Sequence, residues 1–452
     1  MNLMFLRTLC LLSVLFFTSS LAAQADFHIA KSAVKSQKID IKLVNNLIII
    51  PVEINGVELS FLLDTGVSKP IIFYFEGIDE VLKLNHSKRI YIRGLGNGEP
   101  IEAIKSEYNK FRVGDIQNNA QDMYVIYDQN LSFAPRLGFP VQGVIGYDFF
   151  KKFVVEVNYS SKYIRVYKPD SYKYKKCRKC NTIPLQLHNS KPYISSFVTI
   201  DSVEIPVKLL VDTGGSDALW LFEDDSLGIH LGNRKYFDDF LGHGLNGSVY
   251  GKRSRIENFR LMNFELKKPN VAFPDSVSTF ATRLVSDRNG SISGDILKRF
   301  NIVFDYPNGK MTFKKNRLFR EEFSYNKSGI ELEHNGIRLL QEEVIEMGKS
   351  NNPIESSSET SSSVKFNFDR RLKLTVKPAF GVVELRENSP AYRAGIQIGD
   401  VIISVNGKQT YSMELQEVMT LFQGETGKKM HVKVERNGIL MTFNFELESL
   451  LE

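Results

Sequence analysis

An internal repeat limits what this chain can fold into more than any other feature of its sequence. An apolar stretch at residues 48–63 leads into an Asp-Thr-Gly tripeptide at 64–66, and a similar stretch at 193–211 leads into the same tripeptide at 212–214. The two tripeptides are 148 positions apart, since 212 minus 64 is 148. Each apolar stretch predicts two strands joined by a tight turn, with the tripeptide directly after the second strand.

The repeat continues beyond the tripeptides in the same order. A Gly-rich segment at 94–98 has a counterpart at 242–247, and a short apolar stretch ending at Gly146 has a counterpart ending at Gly294, again 148 positions later. Period-two runs of Val, Ile, Phe and Tyr recur in both halves, and long heptad patterns are absent. We therefore predict a mainly β fold with two similar lobes, at residues 35–175 and 176–320.

The tripeptide has a definite chemical meaning when it occurs twice. Packing the lobes about a two-fold axis would place Asp64 and Asp212 face to face. Two carboxylates ~3 Å apart cannot both ionise, so they share one proton. The ionised member then takes a proton from a water molecule while the protonated member donates to a carbonyl oxygen. This arrangement predicts hydrolysis of peptide bonds with no metal, cofactor or covalent intermediate.

The two lobes resemble the pepsin/retropepsin aspartic peptidases over roughly 280 residues. The resemblance implies a bilobal, acid-protease-like β-barrel pseudo-dimer in one chain, with Asp64 and Asp212 as the catalytic pair. It also implies that the rest of each tripeptide supports the active site: Thr65, Gly66, Thr213 and Gly214. The Gly-rich segments would act as two substrate-binding flaps, through Gly94, Gly96, Gly98, Gly242, Gly244 and Gly247.

The chain departs from the pepsins at one place near the catalytic pair. Many pepsins carry Ser or Thr three residues after each catalytic aspartate, and this chain has Val67 and Gly215 there. Losing those hydrogen-bond donors makes the pair less acidic. We therefore expect activity at mild or neutral pH rather than at strongly acidic pH.

The C-terminal third has a different character. A Ser-rich flexible segment at 355–363 precedes residues 380–407, which closely resemble a PDZ domain of the bacterial protease type. The resemblance implies an α+β domain at 321–452 that binds an extended peptide or a C-terminus by strand addition. The carboxylate-binding loop lies either at 328–332 or around 369–372. The first choice makes the Ser-rich segment an insertion within the domain and assigns peptide binding to Gly329, Ile330 and Leu332.

The N-terminal 25 residues predict a cleaved secretory signal, because Arg7 precedes a short apolar stretch and Ala23-Gln24-Ala25 fits a cleavage site. No later segment is long and apolar enough to predict a membrane span. The formal net charge of +6 is mild for 452 residues, and no dense basic tract predicts nucleic-acid binding. Cys177 and Cys180 predict either a small disulfide or two inert thiols, and no zinc site.

The function predicted from the sequence is that of an exported, periplasmic or extracellular aspartic endopeptidase. Its partners would be a peptide or protein substrate and a peptide ligand of the PDZ domain. With both lobes in one chain the active site needs no second copy, so we expect a monomer. The alternative is a catalytically silent, PDZ-containing peptide-binding or scaffold protein. The PDZ-like domain itself has the alternative of a packing module without peptide affinity.

Overall fold

The structure is a computed structural model that describes residues 26–84, 87–128, 131, 134–174, 176–283, 287–348 and 367–451. The predicted secretory signal at 1–25 and the Ser-rich segment at 355–363 lie outside the described residues. The chain divides into two compact units, one of Met1–Tyr325 with Ser449–Glu452 and one of Asn326–Glu448.

The first half of the first unit is built from short strands with the predicted period-two burial. Its strands are β1 (His28–Ile29), β2 (Ser36–Asp40), β3 (Lys42–Val44), β4 (Leu47–Ile54), β5 (Val57–Leu63), β6 (Ile71–Phe73), β7 (Lys88–Ile92), β8 (Ile101–Val113), β9 (Ile116–Ile126), β10 (Gly143–Ile145), β11 (Val154–Asn158) and β12 (Tyr163–Tyr167). Its short helices are α1 (Ile78–Leu82), α2 (Ala134–Leu137) and α3 (Tyr147–Phe150).

The second half repeats this plan. Its strands are β13 (Cys180–Pro184), β14 (Gln186–His188), β15 (Lys191–Ile200), β16 (Val203–Val211), β17 (Leu219–Leu221), β18 (Phe237–Gly244), β19 (Gly247–Arg255), β20 (Asn258–Leu261), β21 (Phe264–Lys267), β22 (Asn270–Pro274), β23 (Gly290–Ile292), β24 (Phe300–Asp305) and β25 (Lys310–Lys315). Its helices are α4 (Ser276–Arg283) and α5 (Gly294–Leu297).

Three sheets organise the first unit. One holds the strands β1 and β3 to β10, and a second holds β14 to β23. In each, the strand that ends before a tripeptide pairs in parallel with a three-residue strand from late in its half: β5 with β10, and β16 with β23. The mainly β class is confirmed. These equivalent pairings are consistent with a pseudo-dimer, which stays a prediction.

The third sheet joins the two halves. Its strand order is β13-β25-β24-β11-β12-β2, and the join is the antiparallel pair of β11 with β24 from Val154↔Asp305 to Asn158↔Asn301. Phe150, Phe304 and Tyr306 pack their rings together beside this join. Burying aromatic rings stabilises the contact strongly, because each removes a large apolar area from water. The two halves therefore share one core.

The cysteine pair is resolved in favour of the disulfide. Cys177 and Cys180 are bonded, with their Cα atoms 5.4 Å apart, just before β13 begins.

The second unit is a smaller α+β domain with its own core. Its strands are β26 (Ile330–Gly348), β27 (Asn367–Leu385), β28 (Val401–Val405), β29 (Lys408–Gln409), β30 (Lys429–Arg436) and β31 (Ile439–Glu446), and its helices are α6 (Pro390–Ala394) and α7 (Leu415–Leu421). The strands run β26-β27-β28-β30-β31 across one sheet, with β29 beside β28. The Ser-rich segment stands in the sequence between β26 and β27. Across the described residues of both units, no helix is long and apolar enough to cross a membrane.

Candidate active site

Each aspartate of the repeated tripeptides lies where a buried strand ends beside a parallel neighbour. The backbone N–H of Asp64 donates to Ile145 O at 2.8 Å, and that of Asp212 donates to Ile292 O at 2.9 Å. These bonds extend the β5–β10 and β16–β23 pairings by one residue. Each carboxylate is thereby held at the end of an apolar strand.

The two threonines bind the tripeptides to each other. Thr65 Oγ1 donates to Val211 O at 2.6 Å and accepts from Thr213 N at 3.1 Å. Thr213 Oγ1 donates to Leu63 O at 2.7 Å and accepts from Thr65 N at 3.0 Å. Both threonines are at most 1% exposed. This reciprocal set of four hydrogen bonds, here called the threonine lattice, fixes the spacing of the two halves.

The glycines that follow bring the carboxylates together. Gly66 N donates to Asp64 Oδ1 at 2.6 Å, and Gly214 N donates to Asp212 Oδ1 at 3.0 Å. A Cβ at Gly214 would lie 2.4 Å from Asp64 Oδ2, which no real side chain tolerates. A side chain at this position would therefore force the Asp64 carboxylate to shift.

Asp64 and Asp212 form a coupled acidic pair. Burial raises the pKa of Asp64 to about 7, and the nearby Asp212 carboxylate and its hydrogen bond to Asp64 add to this rise. The N–H of Gly66 and the charge of Lys191 oppose it. The two carboxyl groups share a proton and therefore titrate together. One carboxyl group of the pair therefore stays protonated up to near-neutral pH.

The structure gives a physical reason for glycine three residues after Asp212. A Cβ at Gly215 would lie only 2.8 Å from Ser293 Oγ and 3.5 Å from Asp212 Oδ2. The hydroxyl of Ser293 thus fills the space beside the second tripeptide that a longer side chain at 215 would need. Gly215 has no side-chain donor, as expected, but the hydroxyl of Ser293 lies close to the position that a side chain at 215 would occupy.

The predicted flap glycines lie at the tips of two β-hairpins. Gly94, Gly96 and Gly98 lie between β7 and β8, and the segment 242–247 spans the turn between β18 and β19. The tips contact each other through Asn246. Its N–H donates to Leu95 O at 2.8 Å and its carbonyl accepts from Gly98 N at 2.7 Å.

The side chain of Asn246 adds a second pair of bonds between the tips. Its Oδ1 accepts from Gly94 N, and its Nδ2 donates to Glu99 O. Leu245 packs on the apolar cluster of the first half that includes Leu47 and Leu62. Leu95 packs on the cluster of Leu241, Val249 and Ala272 in the second half. Each hairpin thus places one leucine against the opposite half.

We expect Asn246→Ala to loosen this contact while leaving the fold intact. The variant keeps the backbone bonds to Leu95 and Gly98 but leaves two polar groups without their partner, at about 1–3 kcal/mol. Backbone amides at 94–98 should then exchange hydrogen roughly ten-fold faster or more. Hydrogen-exchange mass spectrometry of this segment measures the effect. The matched control is Asn97→Ala, because the side chain of Asn97 is exposed. Equal exchange in the two variants would mean that the Asn246 side chain does not hold the two tips together.

Three residues near the pair were missed by sequence reasoning. Lys191 and Arg288 are half-buried cations whose charges act on the aspartates. Tyr306 is 4% exposed and its hydroxyl has no hydrogen-bond partner in the part of the chain described. Burial, with the charge of Asp64, raises the pKa of Tyr306 well above its usual value. The equivalence of the two cations with apolar residues of the first half becomes visible only from the strand pairing, because the repeat changes its offset before them.

The predicted PDZ loop is already hydrogen-bonded to itself. The N–H groups of Ser328 and Gly329 donate to Asn326 Oδ1 at 3.0 and 3.1 Å, and that of Ile330 donates to Ser328 Oγ at 3.0 Å. Ile330 and Leu332 are buried in the core of the second unit. Their predicted role in peptide binding stays a prediction. The loop leads into β26, an edge strand, and a peptide can add to such an edge without using those amides.

Within the described ranges, no group of three or more His, Cys, Asp or Glu side chains could hold a metal ion.

Comparison with known proteins gives two family matches. Residues 50–149, which include Asp64, match the family described as aspartyl protease, and residues 381–436 match the PDZ domain family. The chain thus contains an aspartyl protease domain and a PDZ domain, which confirms the predicted architecture. One similar curated protein is the carboxy-terminal processing protease CtpA of Bacillus subtilis (strain 168), 38% identical over 58 residues. The match covers 13% of this chain and 12% of that protein.

Proposed function

We propose that this chain is an exported aspartic endopeptidase that hydrolyses peptide bonds with a water molecule activated by Asp64 and Asp212. The observation that carries the proposal is the coupled carboxyl pair held by the threonine lattice. A lattice of this kind positions two carboxyl groups for one shared task, and general acid–base catalysis depends on such positioning. The family matches support a protease with a peptide-binding domain.

The pair enters the reaction with one proton. The ionised carboxylate takes a proton from water as the water oxygen bonds to the scissile carbonyl carbon, and the protonated carboxyl donates to the carbonyl oxygen. The pair then passes the proton that it took from water to the amide nitrogen of the tetrahedral intermediate. The carbon–nitrogen bond breaks, and a hydroxyl of the intermediate returns its proton to the pair as the carbonyl group forms again. The products are a carboxylic acid and an amine, and the pair regains its single proton.

The other parts of the chain have supporting roles in this proposal. The hairpin tips joined by Asn246 close over an extended peptide and reduce its contact with water. The PDZ domain holds a substrate or partner segment as an added strand. Both halves of the active site come from one chain, so a monomer is sufficient. The apolar N-terminal stretch directs the protein out of the cytoplasm.

The pH dependence of hydrolysis tests the proposal. With a fluorogenic peptide library from pH 4 to 8, kcat/KM should hold through the mildly acidic range and fall as the pH rises through about 7, where the pair loses its shared proton. A pepstatin-like transition-state mimic should compete with the peptides and bind more weakly above that pH. If neither the peptides nor a denatured protein are hydrolysed and the mimic does not bind, the peptide-binding alternative is favoured.

A further inference from the structure

The second half of the first unit carries two cations where the first half has aliphatic side chains. Lys191 is the first residue of β15, as Leu47 is of β4. Arg288 stands two residues before β23, as Val141 stands two residues before β10. The neighbouring backbone bonds agree with this equivalence, since Gln142 N donates to Ser60 O and Asn289 N to Lys208 O.

The aliphatic group of the first half forms one apolar cluster. Leu47 and Val141 belong to it together with Ile49, Leu62 and Val144. Ile49 and Val144 both pair with Leu62, on opposite sides of β5. This cluster receives Leu245 from the opposite hairpin tip and the partly buried Val67, three residues after Asp64. It therefore forms an apolar wall close to one catalytic carboxylate.

The equivalent wall of the second half is polar and cationic. Tyr193 and Ser291 pair with Leu210 on opposite sides of β16, in the places of Ile49 and Val144. Together with Lys191 and Arg288 they form what we call the cationic pocket. Tyr193 pairs with Leu210, so continuing the antiparallel β15–β16 register by two residues sets Lys191 opposite Asp212. The charges agree with this position, since Lys191 acts on both aspartates and Arg288 acts on Asp212.

The described residues neutralise the two cations of this pocket only in part, since the aspartate pair lies near them without direct contact. Arg288 Nε donates to Gly290 O at 3.0 Å, and its guanidinium lies 5.2 Å from the ring centre of Phe222. Neither Arg288 nor Lys191 pairs with a carboxylate by direct contact in the described part of the chain, and Tyr193, 1% exposed, has a hydroxyl without a hydrogen-bond partner. Burial and mutual repulsion lower the pKa of Lys191, and burial lowers that of Arg288. Two cations held this way are costly unless an anion binds between them.

We infer that the cationic pocket, lined by Lys191, Arg288 and Tyr193, binds a carboxylate of the peptide substrate on one side of the scissile bond. This inference rests on the proposed function and adds a substrate class to it: peptides with an acidic group near the cleaved bond. The first half would accept an aliphatic residue on the other side. An aliphatic residue and an acidic group would then lie on opposite sides of the cleaved bond. The cationic pocket would set the direction in which the peptide chain runs across the active site.

Two kinds of carboxylate fit this chemistry, and peptide design separates them. One is the side chain of an internal Asp or Glu, and the other is a free chain end a short distance after the cleaved bond. A matched series carries Glu, Gln, Leu or Lys at each position from three before to three after the bond. A second series compares free and amidated C-termini.

The wild-type protein should cleave the best Glu peptide about 10- to 100-fold faster in kcat/KM than its Gln counterpart, since charge-assisted hydrogen bonds contribute this much. If the chain end is the ligand, the same ratio appears between free and amidated peptides. Replacing Lys191→Leu and Arg288→Val, which copies the first half, should bring the ratio to about one. Because the ratio is taken within one variant, a change in the overall rate of that variant cancels. Lys191→Arg should retain the preference, and the exposed Lys179→Leu serves as the matched control.

The outcomes separate this inference from the proposed function. If the wild type cleaves peptides but shows no carboxylate preference at any position, the inference is wrong and the proposed function stands. If the double variant keeps the preference and only its pH profile moves, the cations act on the aspartate pair and not on the substrate. If nothing is cleaved, fluorescence anisotropy of labelled Glu and Gln peptides decides, and equal affinity of wild type and double variant overturns the inference.

Discussion

Asp64→Asn and Asp212→Asn should each lower kcat/KM for peptide hydrolysis by about 10³- to 10⁴-fold. Asparagine keeps the size of the side chain but cannot accept or release the proton that the reaction moves. Combining the two changes should add little, because groups that act as one unit are strongly non-additive. The measurement is hydrolysis of the best peptide from the library at its optimal pH, for the two single variants and the double variant.

The matched control is Asp225→Asn, because Asp225 is exposed on the second half of the same unit. It should leave kcat/KM within about two-fold of the wild type. Thermal unfolding should show that both active-site variants remain folded, since removing one charge from a coupled pair relieves repulsion. Substantial hydrolysis by either variant would mean that the pair is not the catalytic centre.

Thr65→Val and Thr213→Val should each destabilise the first unit by about 2–5 kcal/mol. Valine has the shape of threonine but no hydroxyl. In Thr65→Val, the carbonyl of Val211 and the N–H of Thr213 lose their partners in a buried site. The midpoint of thermal unfolding should fall by roughly 5–15 °C.

Two further variants make this stability prediction specific. Thr65→Ser keeps the hydroxyl and should recover most of the lost stability. Thr182→Val removes an exposed hydroxyl that pairs with Thr312 on the surface, and it should change stability by less than about 0.5 kcal/mol. If Thr65→Val is no more harmful than Thr182→Val, the threonine lattice does not hold the two halves together.

Much of the architecture is predictable from the sequence because the signals are local or repeated. The apolar runs before Asp64 and Asp212 set strands that end at the tripeptides, and the structure places both strands there. The Gly-rich segments at 94–98 and 242–247 also coincide with hairpin tips, because glycine is a local turn signal and the segment occurs in both halves. The mainly β class follows from these patterns and is confirmed, and the predicted presence of an aspartyl protease domain and a PDZ domain is confirmed as well.

The cationic pocket was not predictable because the repeat changes its offset. β15 and β16 have 10 and 9 residues where β4 and β5 have 8 and 7. The offset is therefore 144 between Leu47 and Lys191 but 148 between the aspartates. Sequence alone does not show where the extra residues enter. The hydrogen bonds of the loop at 328–332 were not predictable for another reason: its pattern fits a carboxylate site, but the amides of Ser328 and Gly329 donate to the side chain of Asn326, and the role of the loop stays a prediction.

The join between β11 and β24 has a consequence for a chain that is made from one end. Asp64 leaves the ribosome 148 residues before Asp212, and the strand that joins the second half to the first begins only at Phe300. At roughly 5–20 residues per second, the first lobe waits about 7–30 s for its catalytic partner. During that interval the nascent chain has Asp64 and Thr65 but neither Asp212 nor Thr213. Under the proposed function, the order of synthesis therefore keeps the nascent chain inactive towards other proteins until the second half has been made.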